Sequence, residues 1–261
     1  MPIDQPGNAM RLTHAFLVIV DISGYTSFIT QRTVSLQHAE QIITELMETV
    51  IDRADHPLVV NKLEGDAALL YCECAVGDVD AARDVFAQVK AFFPAFYACR
   101  TRQREQRSNC NCDACSNIDL LKLKAFVHVG EFAIKQVRQF EELAGEEVIL
   151  VHRLLKNQVA SREYVLLTEA ARAAAGIPLD ILQSHVESFE GIGELALWLS
   201  APAALPFDLP ERRSAADLPP KDGQSSAIAV EREAVFHHLP VIAAEPAPSL
   251  MRRLQTWLGR G

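Results

Sequence analysis

Residues 16–28 read FLVIVDISGYTSF: an unbroken apolar run, Phe16 to Val20, meets an acid, Asp21, and then Gly24. A short apolar, partly β-branched run bounded by turn residues predicts a strand buried on both faces. A carboxylate at its end lies at the sheet's edge, where ligands collect in open α/β architectures. Such an acid must be hydrogen-bonded, paired or metal-bound, because an unpaired buried charge is too costly. Asp21 as the N-cap of a following helix is the competing reading. A second acid in a matching setting, Asp66, favours the ligand role.

Around this strand the pattern alternates. Ala39, Ile42, Ile43, Leu46, Met47, Val50, Ile51 and Ala54 recur at helical spacing, with Glu40, Glu45, Glu48 and Asp52 outside the stripe. Residues 58–62 and 67–72 flank Leu63-Glu64-Gly65-Asp66 as a β-hairpin turning at Gly65. Asp78 is positioned to cap a second helix with Ala82, Val85, Phe86, Val89, Phe93 and Phe96 inward, kinked or ended by Pro94. Residues 99–118, CRTRQREQRSNCNCDACSNI, read as a polar, basic insertion. Alternation resumes at 121–130, with Leu121, Leu123, Ala125, Val127 and Val129 on one face and 131–136 as the hairpin partner. A helix from Gly145 to about Asn157, a strand at 164–168, a helix at 168–176 and strands at 186–189 and 194–199 complete the order.

Strand–helix–strand–strand–helix–strand is the ferredoxin-like plan, extended here at its C-terminal end. The expected fold class is α/β (α+β), a sheet flanked by helices with a cysteine-bearing insertion. In that plan the first strand lies beside the hairpin, so Asp21 and Asp66 can meet. Two converging carboxylates with few other ligands suit Mg²⁺ or Mn²⁺ bound together with substrate phosphates. The organisation predicted is a lead-in (1–13), one domain (14–200, insertion 99–118), and a Pro-rich linker and tail (201–261). The final SLMRRLQTWLGRG reads as a short amphipathic helix that docks on the domain in preference to a membrane.

Composition excludes several function classes. A formal net charge of −9 argues against a general nucleic-acid binder. No apolar run approaches the ~20 residues a membrane span requires, and MPIDQPGNAMRLTH lacks the pattern of a signal peptide. Six cysteines, four of them between 99 and 115, fit a reducing compartment and metal binding better than scattered disulfides. A cytoplasmic protein is expected.

DISGYTSF, NKLEGDAALLY, HVGEF and a Gly-x-x-Val…Arg-Leu helix, in that order, resemble the catalytic domain of class III adenylyl and guanylyl cyclases. The CNCDAC insert resembles an uncharacterised bacterial branch of that fold, a domain of unknown function. The resemblance implies that Asp21 and Asp66 hold two divalent metals, with the backbone carbonyl of Ile22. It implies that Lys62 and Glu142 read the base and that Arg153 steadies the reacting phosphate, a task suited to a permanently charged fork. It further implies a head-to-tail homodimer with composite sites. Two positions depart from the pattern. Ile149 stands where an asparagine orients the ribose, and Glu190 where a lysine contacts the phosphates. Isoleucine cannot hydrogen-bond, and an acid repels a triphosphate.

Cys99, Cys110, Cys112 and Cys115 are candidate thiolate ligands for Zn²⁺; reduced thiols in a mobile loop are the alternative. Cys72 and Cys74 alternate along a strand and read as packing residues. Arg100, Arg102, Arg104 and Arg107 read as a solvated basic helix end rather than an anion-binding patch, and His128 as a hydrogen-bonded sheet residue. His237 and His238 carry no usable signal. Two functions follow. One is a nucleotidyl cyclase forming a cyclic nucleotide (cyclic AMP from ATP, on the strength of Lys62) and pyrophosphate. The other is a catalytically degenerate module that binds nucleotide or metal and regulates a partner.

Overall fold

A computed structural model describes residues 10–25, 28 and 36–209. β1 (Met10–Ser23) is followed by α1 (Leu36–Ile51), the hairpin β2 (Val59–Glu64) and β3 (Ala67–Glu73), and α2 (Val79–Gln106). A short α3 (Asp113–Ser116) leads to β4 (Lys122–Val137), β5 (Phe140–Ala144) and α4 (Glu146–Leu154). β6 (Tyr164–Thr168), α5 (Glu169–Ala174), β7 (Gln183–Phe189) and β8 (Gly193–Ser200) close the domain. The sheet order is β2-β3-β1-β4-β6-β8-β7, with β5 paired to β4. Every pairing is antiparallel except β4 with β6.

The unbroken apolar run in β1 is explained by helices on both faces. Phe16, Val18, Val20 and Ile22 join the core that holds α1, α2 and α5. Ala15, Leu17 and Ile19 join a second core with Phe126, Val151 and Leu154 beneath α4. Leu121, Leu123, Ala125, Val127 and Val129 share the first core, as their alternation predicts. The Asp78 carboxylate caps α2 by accepting from the Ala81 amide at 3.0 Å.

Several boundaries differ from the sequence reading. β1 begins at Met10, within the expected lead-in, because Met10 to His14 extend the ladder with β4 and Arg11 pairs with Glu73. α2 runs through Pro94 to Gln106. Burial of Phe92, Phe93, Phe96 and Cys99 on either side offsets the lost backbone bond. The first part of the expected insertion is therefore the last turns of α2.

Residues 131–136 are not a hairpin partner. β4 continues straight through Gly130, and the turn comes at Arg138, in the left-handed region (φ 56°), before β5. Gly130 serves close packing instead: a Cβ there would lie 2.7 Å from Cγ of Glu147 on α4. α4 ends at Leu154, where the Asn157 side-chain amide takes the Leu154 carbonyl at 2.6 Å.

Arg102 and Arg104 are exposed, as a solvated helix end predicts, whereas Arg100 and Arg107 are half-buried and engaged within the fold. Arg100 stacks 4.6 Å over Tyr97 and donates to the Leu121 carbonyl, while Arg107 reaches Glu45 at 3.2 Å. Residues 201–209 pack on the domain through Leu205 and Phe207, whose ring centroid is 6.1 Å from that of Phe86. The C-terminal amphipathic segment lies outside the described residues. Among the described residues, no helix is long and apolar enough to cross a membrane.

Candidate functional site

Asp21 and Asp66 are brought together by the central ladder. Asp21 pairs with Ala67, the residue after Asp66, and the Ile22 amide donates to the Asp66 carbonyl at 3.0 Å. That bond closes the end of the β1–β3 pairing and fixes both acid-bearing segments. Burial raises the Asp21 carboxyl to about 6; the charge of Asp66 adds to this and Lys124 opposes it. Burial also raises Asp66, against its own backbone hydrogen bond and Lys124. Two half-buried carboxylates at close quarters favour a proton or a cation, and hard oxygen donors of this kind fit Mg²⁺ or Mn²⁺. Lys124, directly across β4 from Asp21, answers part of that demand.

Lys62 and Glu142 also meet, with Nζ 3.7 Å from Oε2 although 80 residues separate them. The β5 arm makes this possible: the Tyr71 hydroxyl donates to Glu141 at 2.8 Å, holding β5 against the hairpin. Lys62 also lies 3.3 Å from Glu64, which is in turn 3.0 Å from Nε2 of His152 on α4. A charged cluster therefore joins β2, β5 and α4.

Arg153 follows His152 and lines a shallow cleft of ≈ 330 Å³ with Val148, Ile149, His152 and Lys156. Among the described residues, no ion pair within the chain joins it to Asp21 or Asp66. Ile149, 56% exposed, also borders a ≈ 420 Å³ cleft with Glu146, Glu147, Leu150, Gly191 and Ile192. Exposed Glu190 adjoins that cleft through Gly191. Its lining is acidic and apolar, without the cations a triphosphate requires.

His128 lies between Thr168 (Nδ1 to Oγ1, 2.9 Å) and Glu147 (Nε2 to Oε2, 2.5 Å). Burial lowers its pKa, with Glu147 opposing. A neutral ring donating from Nε2 and accepting the Thr168 hydroxyl proton satisfies all three groups. Thr168 also caps α5 and is buried, so this Thr-His-Glu series is a support for α4, not a nucleophile.

The cysteines divide. Cys110, Cys112 and Cys115 cluster with His38 on α1, their ligand atoms all within 4.8 Å of one another. Cys99, expected as the fourth ligand, is instead buried on α2, its thiol 3.7 Å from the Glu45 carbonyl. Cys99 is already inside a helix that packs on α1, ahead of the loop that carries the other three. Within the cluster burial disfavours thiolates, but the Cys115 amide and His38 outweigh it at Cys112 and lower its pKa; Cys115 is raised by burial and then by its neighbours. Cys72 is a buried packing residue, as expected, and Cys74 is half-buried.

Lys124 and His38 were missed from the sequence. Lys124 alternates with Phe126 and His128 on the face opposite the apolar stripe, so period-two counting identifies its face, though not its partner. His38 sits among helix residues with no local sign of a ligand role.

Comparisons with known proteins agree with this architecture. A family described as "Protein of unknown function (DUF2652)" matches residues 43–164. Uncharacterized protein Rv2561/Rv2562 of Mycobacterium tuberculosis (strain ATCC 25618 / H37Rv) is 36% identical over 155 residues, 58% of this chain and 69% of that protein. Among solved structures, the guanylyl cyclase Cya2 superposes with a TM-score of 0.59 at 14% identity, over 74% of this chain and 93% of its own. The adenylyl cyclase CyaB from P. aeruginosa gives 0.58 at 12% identity, over 73% and 95%. A class III adenylyl cyclase-like ATP-binding protein from Pseudomonas aeruginosa gives 0.53 at 11% identity, over 66% of this chain and 37% of its own. At these identities the likeness establishes a mixed α+β, cyclase-like fold.

Proposed function

This chain belongs to the family of uncharacterized protein Rv2561/Rv2562, and from that premise and its cyclase-like fold we propose that it is a slow class III nucleotidyl cyclase. The observation that carries the proposal is the convergence of Asp21 and Asp66 at the end of the β1–β3 pairing. These two carboxylates, with the Ile22 carbonyl, would hold two Mg²⁺ or Mn²⁺ ions. When bound, the ions supply triphosphate neutralisation and a lowered pKa for the ribose 3′-hydroxyl.

The reaction joins the 3′-oxygen to the α-phosphorus and releases pyrophosphate. Lys62 and Glu142, already an ion pair, present one donor and one acceptor to a purine edge, an arrangement that favours ATP. Arg153 supplies a fixed fork of donors to charge developing on the phosphate. The metal acids and the base-reading pair act from different subunits of a homodimer, giving two equivalent composite sites.

A second reading, nucleotide binding without turnover, is favoured by Ile149. This exposed side chain offers no hydrogen bond to a ribose, and the acidic lining nearby disfavours phosphate. The likeness in fold to a class III adenylyl cyclase-like ATP-binding protein accords with it. Incubation of the full chain with each nucleoside triphosphate and Mn²⁺ separates the readings. Cyclic product that disappears in Asp66→Asn supports the enzyme. Thermal stabilisation by Mn²⁺ and triphosphate, without product at long times, supports the binding module. Neither response overturns both.

A further inference from the structure

We infer that His38, Cys110, Cys112 and Cys115 form a closed tetrahedral Zn²⁺ site that clamps the inserted loop onto α1. Nδ1 of His38 lies 3.5 Å from each of the three Sγ atoms. A tetrahedral zinc with Zn–S of about 2.3 Å and Zn–N of about 2.0–2.1 Å separates nitrogen from sulfur by about 3.5–3.6 Å. The apex atom thus stands at the ligand-to-ligand spacing of a zinc tetrahedron on all three edges. The remaining sulfur–sulfur edges fall within the 4.8 Å envelope of the group, where zinc requires about 3.8 Å.

The local backbone is built for the same purpose. Cys112 and Cys115 span the first turn of α3, and the Cys115 amide points at Cys112 Sγ at 3.5 Å. An N–H aimed at a ligating sulfur stabilises the thiolate a metal needs. Cys115 is buried and Cys110 and Cys112 are half-buried against the α1–α2 core, and Cys110 and Cys115 also border a cleft of ≈ 510 Å³ with Arg104, Arg107 and Asn111, so the proposal rests on the four-ligand geometry. All the cysteines are free thiols. Three thiolates and one imidazole are a soft, mixed donor set that selects zinc over the hard ions suited to Asp21 and Asp66.

Such a clamp has a mechanical consequence. α1 is otherwise tied to the end of α2 through Glu45, which accepts from Gln103 and Arg107. A metal at His38 adds a second tie near the start of α1. It joins α1, the end of α2 and α3 into one rigid unit, and the cysteine loop gains a covalent-strength anchor in place of a hydrophobic core of its own.

The test uses the full chain, purified under reducing conditions and analysed for metal. About one zinc per chain is expected. Exchange for Co²⁺ should produce the intense visible absorption of tetrahedral cobalt with thiolate charge transfer. Cys112→Ser should lose the metal and Cys99→Ser should keep it. His38→Ala should bind at least ~10–100-fold more weakly, the loss seen even for outer-shell partners. His38→Cys should retain cobalt with a spectrum shifted toward four thiolates. Stripping zinc from the wild type should increase amide exchange across residues 36–47 and 107–120, which keeps the test decisive if a variant misfolds. Freshly reduced wild type that takes up neither Zn²⁺ nor Co²⁺ overturns the site. Metal lost in Cys99→Ser but kept in His38→Ala overturns the ligand assignment.

Discussion

Replacing Asp21 by Asn should stabilise the metal-free protein at neutral pH. Asp21 is held at about 6, against 3.8 for a free side chain, first by burial and then by the charge of Asp66. Each tenfold change in proton affinity corresponds to about 1.4 kcal/mol, which sets a ceiling of about 3 kcal/mol on the cost of ionising it in place. Partial exposure screens the interaction and brings the expected gain to about 1–2 kcal/mol. In a domain of this size that is a rise in Tm of about 2–8 °C. The sign follows from linkage: a carboxyl raised in the folded state favours folding below its unfolded pKa, and that contribution is lost as pH rises through the folded value. The advantage of Asn should therefore be full at pH 7 and vanish near pH 4. Thermal unfolding in a chelator between these limits measures it directly. If the acid pair holds Mn²⁺–ATP as proposed, saturating ligand should reverse the order, because binding at 100 times Kd adds about 2.7 kcal/mol to the wild type alone. An Asn variant that is less stable in chelator at pH 7, or whose difference is independent of pH, refutes the account of the acid pair.

Gly130→Ala should cost about 1–3 kcal/mol, because its Cβ falls 2.7 Å from Glu147 Cγ while His128 holds that side chain in place. Denaturant unfolding should show a smaller penalty in a Glu147→Ala background; an equal penalty would refute the steric cause. If the enzyme reading holds, Ile149→Asn combined with Glu190→Lys should raise the rate of cyclic product formation by ~10²-fold or more, and an unchanged rate would discount these departures as the reason for slow turnover. On the composite-site proposal, Asp21→Ala and Arg153→Ala proteins should each bind Mn²⁺–triphosphate poorly, and mixing them should restore one intact site per heterodimer. Subunit exchange without recovery of thermal stabilisation would exclude composite sites.

The fold was legible where burial is periodic. The stripe of α1, the hairpin at Gly65 and the alternation at Leu121–Val129 each encode their faces locally. The sequence reading failed where a residue's reason lies in a distant element. Gly130 resembles a turn glycine, yet it is small because Glu147 of α4 passes over it. Pro94 reads as a kink or an end of the helix; it does not end α2, because aromatic packing on both sides carries the helix past it.

The same division governs the two sites. Asp21 and Asp66 could be paired from topology alone, since a ferredoxin-like plan lays β1 beside the hairpin whatever the side chains are. The zinc ligands could not. Three cysteines announce themselves by spacing, but the fourth ligand is chosen by which helix the loop packs on. Cys99 is nearest in sequence, yet on α2 its thiol turns to the Glu45 carbonyl; His38, 72 residues before Cys110, meets the loop only because α1 and α2 pack side by side. Where the ligand set is closed by tertiary packing, the residue that completes it has no local signature. Exchange of His38, and not of Cys99, is therefore the substitution that tells a loop metal site from a clamp between the loop and the core.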